Sequence, residues 1–357
     1  MSLYPMKLYV IFPNYGGVGG ITTVIKNIVT RLDKCRYDVI VLTGRDDISS
    51  DETNIPIVSF SHLFKIFPNL KFLLYIRTIE DSIIHIHGFH NLWSFGSLLL
   101  LKKSNRIVFN MHYIKYSPNF LRNLLIIPFR AIFRLLISRV DCIICVSNFE
   151  RKLILKDFNI KPKKVFIIPN GFDKRTLKRY QWSYNPKNSQ VLFVGRLAEV
   201  KNVDKLLEAM EILPDLTLTI VGTGPLEHHI KELINMKGLY ERVDLKGSLN
   251  SDDVYREYST SRVCVLPSLY ESFGLVVGEA AIIGCPVIVT NNSALREFVE
   301  SGLAYGIDPP INHSKIAEAL SRIYTDSPRE NALSFFRDWD EICGTYDKLF
   351  QEVIEFG

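Results

Sequence analysis

The chain has 357 residues, 47% of them hydrophobic and 23% charged, with a formal net charge of +5. That length exceeds one ordinary hydrophobic core and predicts two domains, and a modest charge without dense basic clusters excludes the profile of a nucleic-acid binder. Mean hydropathy is +0.10, yet no apolar run approaches the ~20 residues of a membrane-spanning helix.

The first residues hold one lysine and a short apolar strand without a small-residue cleavage site, so the chain reads as cytoplasmic, with anionic small molecules or a lipid surface as fitting partners. Short β-branched runs then alternate with amphipathic stretches, which predicts an α/β chain of two doubly wound, Rossmann-like domains. Strands are expected over residues 7–12, 37–43, 82–87, 106–111, 141–146 and 164–168, with a helix over 21–32. Residues 171–189, where Asn-Gly, Asn-Pro and Asn-Ser replace apolar periodicity, read as a linker. Alternation restarts with strands over 191–195, 216–221, 243–245, 263–266 and 287–290 and helices over 203–213, 226–237 and 277–283. The tail 329–356 has helical spacing with a bend expected near Gly344.

The stretch with most chemistry is 267–281, directly after an expected strand and so at the edge where open α/β sheets bind ligands. Gly274 lets an anion approach the backbone, and the helix opening near Leu275 offers it unpaired amides and a positive dipole end. Glu271 precedes that helix and Glu279 lies about one turn inside it; a carboxylate accepts two hydrogen bonds from a vicinal diol, as in a sugar. On spacing alone, Glu279 as a mere dipole-compensating residue stands level with that reading. A second stretch separates them: Gly195, Arg196 and Lys201 follow another apolar strand, and two cations beside a glycine suit a diphosphate whose departure builds negative charge.

Gly195-Arg196 with Lys201, followed by Glu271-x-Phe273-Gly274-Leu275-x-x-x-Glu279, resembles the family 4 retaining glycosyltransferases of the GT-B fold. The likeness extends over nearly the whole chain, including Ile168-Pro-Asn-Gly-Phe-Asp173. It implies two Rossmann-like domains facing across a cleft: residues 1–170 on the acceptor side, joined by a returning tail from about 335 to 357, and residues 190–334 on the donor side. By resemblance Arg196 and Lys201 grip the donor diphosphate, and Glu279 holds the ribose. Glu271, with the backbone of Ser272, Phe273, Gly274 and Leu275, meets the donor sugar. Gly19 and Gly20, in a glycine-rich turn that is not the G-x-G-x-x-G fingerprint, approach the phosphates and the acceptor, and His112 meets the sugar. The implied reaction moves a sugar from a UDP- or GDP-sugar to a hydroxyl of a glycan or lipid-linked glycan, with no metal and no further cofactor. A nucleotide-sugar epimerase or hydrolase of the same fold, and a silent sugar-binding subunit, are the alternatives. Ala280-Ala-Ile-Ile-Gly-Cys-Pro286 and Asn292-Ser-Ala-Leu-Arg-Glu297 depart from the family's usual loops.

Other features have plainer readings. Cys142 and Cys145 are buried hydrophobes, because residues i and i+3 on a strand face opposite ways. His85, His87 and His90 lack the acidic or thiolate company of a metal site. Ser147-Asn-Phe-Glu150 is a capping box. Asp338 and Asp340 are expected on one helix, diverging, with Trp339 packing between them. Residues 120–139 combine large apolar side chains with four arginines, and are expected to lie against a lipid interface, Arg130 and Arg134 facing headgroups.

Overall fold

The computed structural model describes residues 5–17, 19–45, 55–62, 67–113, 128, 130–185, 187–322 and 326–356. The chain divides into two compact units, Met1–Gly171 with Trp339–Gly357, and Phe172–Asp338.

The first unit is built on seven parallel strands: β1 (Met6–Ile11), β2 (Tyr37–Thr43), β3 (Ile57–Ser59), β4 (Ile83–His87), β5 (Arg106–Asn110), β6 (Cys142–Cys145) and β7 (Val165–Ile167). Their order across the sheet is β3-β2-β1-β4-β5-β6-β7. β4 and β6 are buried at every residue, as parallel strands covered on both faces must be. Each fully buried Ile or Val there contributes about 1.5–3 kcal/mol of transfer free energy, enough for strands of five residues or fewer to hold. Cys142 and Cys145 are free and buried, and burial pushes both thiols far up. The helix Trp339–Phe356 packs on this unit. Asp347 accepts from Tyr37 Oη at 2.7 Å and pairs with Arg36 at 2.6 Å, while Tyr346 and Phe350 lie against His85.

The second unit carries β8 (Gln190–Val194), β9 (Thr217–Val221), β10 (Val243–Gly247), β11 (Val263–Leu266), β12 (Val287–Thr290) and β13 (Tyr305–Ile307), ordered β10-β9-β8-β11-β12-β13 and all parallel. In each sheet the order reverses once, between β1 and β4 and between β8 and β11. Loops leaving the carboxyl ends of those neighbours bound the crevice where such sheets bind ligands.

Several expectations change. Residues 172–189 are part of the second unit: Trp182 donates from its indole to Ser261 O at 2.7 Å and from its backbone to Ile283 O at 3.1 Å. The tail breaks after Phe335 and resumes at Trp339, and Gly344 sits inside an unbroken helix. Asp338 therefore precedes the helix and accepts from Lys174 N at 3.2 Å, whereas Asp340 pairs with Arg31 at 3.2 Å. Strands β3 and β13, three residues each, were not expected. In the 120–139 segment, residues 120–127 and 129 lie outside the described residues. The described arginines bond within their own unit: Arg134, exposed, donates to Asp157 O, Arg139 to Leu99 O and Leu101 O, and Arg130 approaches the Asp157 carboxylate at 3.8 Å and the Tyr113 ring. Ile132 and Leu135 remain exposed. Among the described residues no helix is long and apolar enough to cross a membrane.

A steric feature ties β8 to β9. Gly222 has φ +135°, and a Cβ there would collide with the carbonyl oxygen of Gly195; one on Gly224 would strike the backbone of Leu197. Gly222→Ala is expected to lower the second unit's stability by about 2 kcal/mol or more, because backbone cannot step aside. Gly238→Ala, also at positive φ but with nothing within 4 Å, is expected to cost about 1 kcal/mol. Equal thermal midpoints for the two variants would contradict this account.

Candidate functional site

At the carboxyl edge of the second sheet, the loops after β8 and β11 are joined by main chain and side chain alike. Leu269 N donates to Val200 O at 2.7 Å, and Asn202 Nδ2, on a buried residue, donates to Pro267 O at 2.8 Å. These bonds place Lys201 against Glu271: the ammonium pairs with Oε1, which also accepts from Ser268 Oγ at 2.9 Å. Glu271 is held from behind as well, its N–H donating to Ser293 Oγ at 3.0 Å and its carbonyl accepting from Ala294 N at 3.2 Å. Arg196 is exposed, and its side chain meets no hydrogen-bonding or charged partner among the described residues.

The helix Leu275–Ile283 starts at Gly274, whose φ of +103° is the left-handed conformation that glycine adopts without strain. No side chain caps this end and its first turn has no acid, although Val277 N donates to Gly274 O at 3.0 Å, so no first-turn acid offsets the positive end of the dipole. Phe273 is buried against Phe172 and Phe298, so its ring serves packing. Phe172 also fills the space a Cβ on Gly278 would need, which fixes the helix close to the chain segment entering the unit. Glu279 projects from this helix as a half-buried carboxyl. Burial pushes its pKa up to about 7, and a hydrogen bond from Tyr258 Oη at 3.3 Å works in the opposite direction.

The structure thus brings Arg196, Lys201, Glu271, Ser272, Phe273, Gly274, Leu275 and Glu279 to one edge of one sheet, at its reversal point. Gly19, Gly20 and His112 belong to the first unit, at the carboxyl edge of its own sheet. Gly19 caps the helix Gly20–Arg31, which also lacks an acid in its first turn, and both glycines are exposed. His112 follows β5 at φ +46°, buried, with Nε2 3.2 Å from Nδ1 of His87. Burial holds the His112 ring at a pKa of about 4, so it is neutral at physiological pH. Ser147 accepts from Glu150 N as a capping residue does, but the Glu150 carboxylate reaches Val146 N at 2.8 Å and Tyr113 N at 2.6 Å, pinning the segment after β5 to the end of β6.

Sequence reasoning missed Gly222 and Gly224, whose only signal was a G-x-G after a strand, and Tyr258, the partner of Glu279, which carries no motif. Among the described residues no group of three or more His, Cys, Asp or Glu side chains is arranged to hold a metal ion.

Comparison with known proteins agrees on one family. Residues 174–335 match the family model described as glycosyl transferases group 1, and residues 18–175 match that of glycosyltransferase family 4. An uncharacterized glycosyltransferase of Methanocaldococcus jannaschii is 27% identical, over 95% of this chain and 96% of the relative. Among solved structures, sucrose-phosphate synthase from Thermosynechococcus elongatus shares the fold with a TM-score of 0.79 at 19% identity, covering 99% of this chain and 100% of the other. Anabaena HepE in complex with UDP-glucose shares it with a TM-score of 0.75 at 18% identity, covering 97% and 100%. Two Rossmann-like units, a charged edge at a strand reversal and two family models that together run from residue 18 to 335 lead to one assignment: the chain belongs to the family 4, group 1 glycosyltransferases of GT-B fold.

Proposed function

We propose that this glycosyltransferase takes a sugar from a nucleoside diphosphate sugar, with UDP as the favoured nucleotide, and passes it to a hydroxyl of a glycan or lipid-linked glycan with retention of anomeric configuration. The observation that carries the reading is the pairing of an exposed Arg196, unpartnered among the described residues, with an uncapped, acid-free helix start at the same sheet edge. A guanidinium binds a diphosphate through paired donors, and helix amides add fixed positive potential. The UDP-glucose complex of a structural neighbour supports the donor class. Lys201 completes the diphosphate site, Ser272, Gly274 and Leu275 offer backbone to the donor, and Glu279 accepts from the ribose diol. Glu271 and His112 meet the donor sugar, while Gly19 and Gly20 approach the phosphates and the acceptor.

In the chemical step the bond from the anomeric carbon to the diphosphate oxygen breaks and the bond to the acceptor oxygen forms. The acceptor's proton passes to the departing phosphate on the same face. Glu271, already engaged by Lys201 and Ser268, orients the sugar and forms no covalent bond; a glycosylated Glu271 trapped and found by mass spectrometry would refute that. Arg196, Lys201 and the helix amides stabilise the charge that develops on the leaving group most strongly in the transition state. They are proposed to do so without a metal ion or further cofactor. A peripheral membrane contact, which a lipid-linked acceptor would favour, rests on exposed Ile132 and Leu135 rather than on the arginines.

Arg196→Ala is expected to lower kcat/KM about a hundredfold or more, with unchanged thermal stability because the side chain is exposed. Glu279→Ala should act mainly on donor binding; full activity in either variant, measured as acceptor-dependent UDP release, would sink the assignment. Because the Glu279 pKa is raised to about 7, its carboxylate form gains on the acid as pH rises through that value, and the carboxylate is the better acceptor for a diol. UDP affinity measured by calorimetry should therefore increase from pH 6 to pH 8 in the wild type, and be flatter in Glu279→Gln. Treatment with a chelator such as EDTA should leave the transfer rate within about twofold, since two cations and a helix terminus carry the neutralisation.

A further inference from the structure

Three buried histidines of the first unit form a file that the proposed roles leave partly unused. His85 and His87 stand two residues apart on one face of β4, their rings 4.2 Å apart, and His112 stacks on His87 at 5.5 Å. The file is anchored at its inner end. His85 Nε2 lies 2.8 Å from Asn110 Oδ1, and Asn110 Nδ2 donates to Tyr346 Oη at 3.0 Å. His85 and His87 are 0% exposed and His112 is 9% exposed, which makes His112 the outermost member.

The contact between His87 Nδ1 and His112 Nε2 is 3.2 Å, and burial keeps both rings neutral. One hydrogen bond between two neutral imidazoles carries one proton, so two assignments exist. If His112 Nε2 donates, His87 must keep its own proton on Nε2, which is buried without a partner among the described residues. If His87 Nδ1 donates, Nε2 is left as a bare acceptor. A buried N–H without a partner is the rarer and costlier of the two defects, so His87 Nδ1 donates and the proton of His112 resides on Nδ1. The backbone of His112 adds an independent sign of constraint. Its φ of +46° is uncommon for a residue with a Cβ, and such conformations persist where surrounding contacts over-determine them.

We propose that His87 is a positioning residue for His112: it fixes the ring's tautomer and direction so that His112 presents its Nδ1–H as a hydrogen-bond donor to the donor sugar. This rests on the reading of His112 as a sugar contact. Without His87 the ring could rotate or change tautomer, and a donor aimed at a sugar hydroxyl would become an acceptor.

The first test needs no substrate and no variant of His87. In a nitrogen-15 histidine spectrum of the full unliganded chain, with His112 assigned by its loss in His112→Gln, the proton should be on Nδ1 and Nε2 should be bare. The opposite tautomer overturns the proposal. The second test compares UDP release from UDP-glucose, UDP-galactose and UDP-N-acetylglucosamine in His87→Phe and His87→Asn. His87→Phe should reduce sugar-dependent turnover about tenfold or more while UDP itself binds within about twofold of wild type, and His87→Asn, whose amide can donate near the Nδ1 position, should recover most of the loss. In a His112→Ala background, His87→Phe should add less than about twofold; full additivity would assign His87 a merely structural role and overturn the proposal. If His112→Ala alone leaves turnover unchanged, the sugar contact of His112 fails, a result distinguishable from failure of the tautomer assignment. If His87→Phe does not fold, His87→Asn and the spectrum still decide.

Discussion

Hydrogen bonding between β8 and β11, two parallel strands that are neighbours in space although β9 and β10 separate them in sequence, is the constraint on which the proposed donor site depends. The chain leaves these strands toward opposite halves of the sheet, so their exit loops meet over a gap that no third strand fills. Val200, Asn202, Pro267 and Leu269 knit the loops together by two hydrogen bonds. Remove the adjacency and Arg196, Lys201, Glu271 and the Leu275–Ile283 helix would be four unrelated surface features. The glycines at 222 and 224 serve the same end, since only a chain without Cβ atoms can pass so near the carbonyls of Gly195 and Leu197.

Part of the charge at that edge is matched within the protein. Lys201 is matched by Glu271, and Glu279 sits where burial brings its two protonation states close to parity near neutral pH. Arg196 alone is left to solvent, which solvates a guanidinium at little cost. Among the described residues at this edge, a ligand with two phosphates would therefore meet the free guanidinium of Arg196 and an ammonium shared with a carboxylate. In the proposed site the shared cation would link phosphate and sugar recognition, because whatever draws Lys201 away alters the hold on Glu271.

Much of this was legible in the sequence, and the reasons are local. Gly195, Arg196 and Lys201, and the run from Glu271 to Glu279, each follow a short strand with an apolar run, Val191–Val194 and Val263–Leu266, so position along the chain also gave position at the sheet edge. What escaped was relational. The His87–His112 contact joins residues 25 apart in sequence and depends on the register that sets His87 opposite Asn110. Gly222 looks like any turn glycine until the carbonyl of Gly195 is placed above it. Trp182 sits among linker-like residues, and only the presence of Ser261 O and Ile283 O makes it part of a domain. The arginines of 130–139 suggested a lipid face, and a helical wheel cannot show that Asp157 and the carbonyls of Leu99 and Leu101 lie within their reach.

The helix Trp339–Phe356 returns to a unit whose other elements all precede residue 172. During synthesis the ribosome must make the whole of residues 172–338 before that helix emerges, a delay on the order of ten seconds or longer at ordinary elongation rates. Through that interval His85 and Asn110 lack the cover that Tyr346 and Phe350 later provide. The contiguous second unit has no such wait. The unit encoded second can finish folding first, and the polar file of the earlier one is closed only once the helix Trp339–Phe356 has left the tunnel.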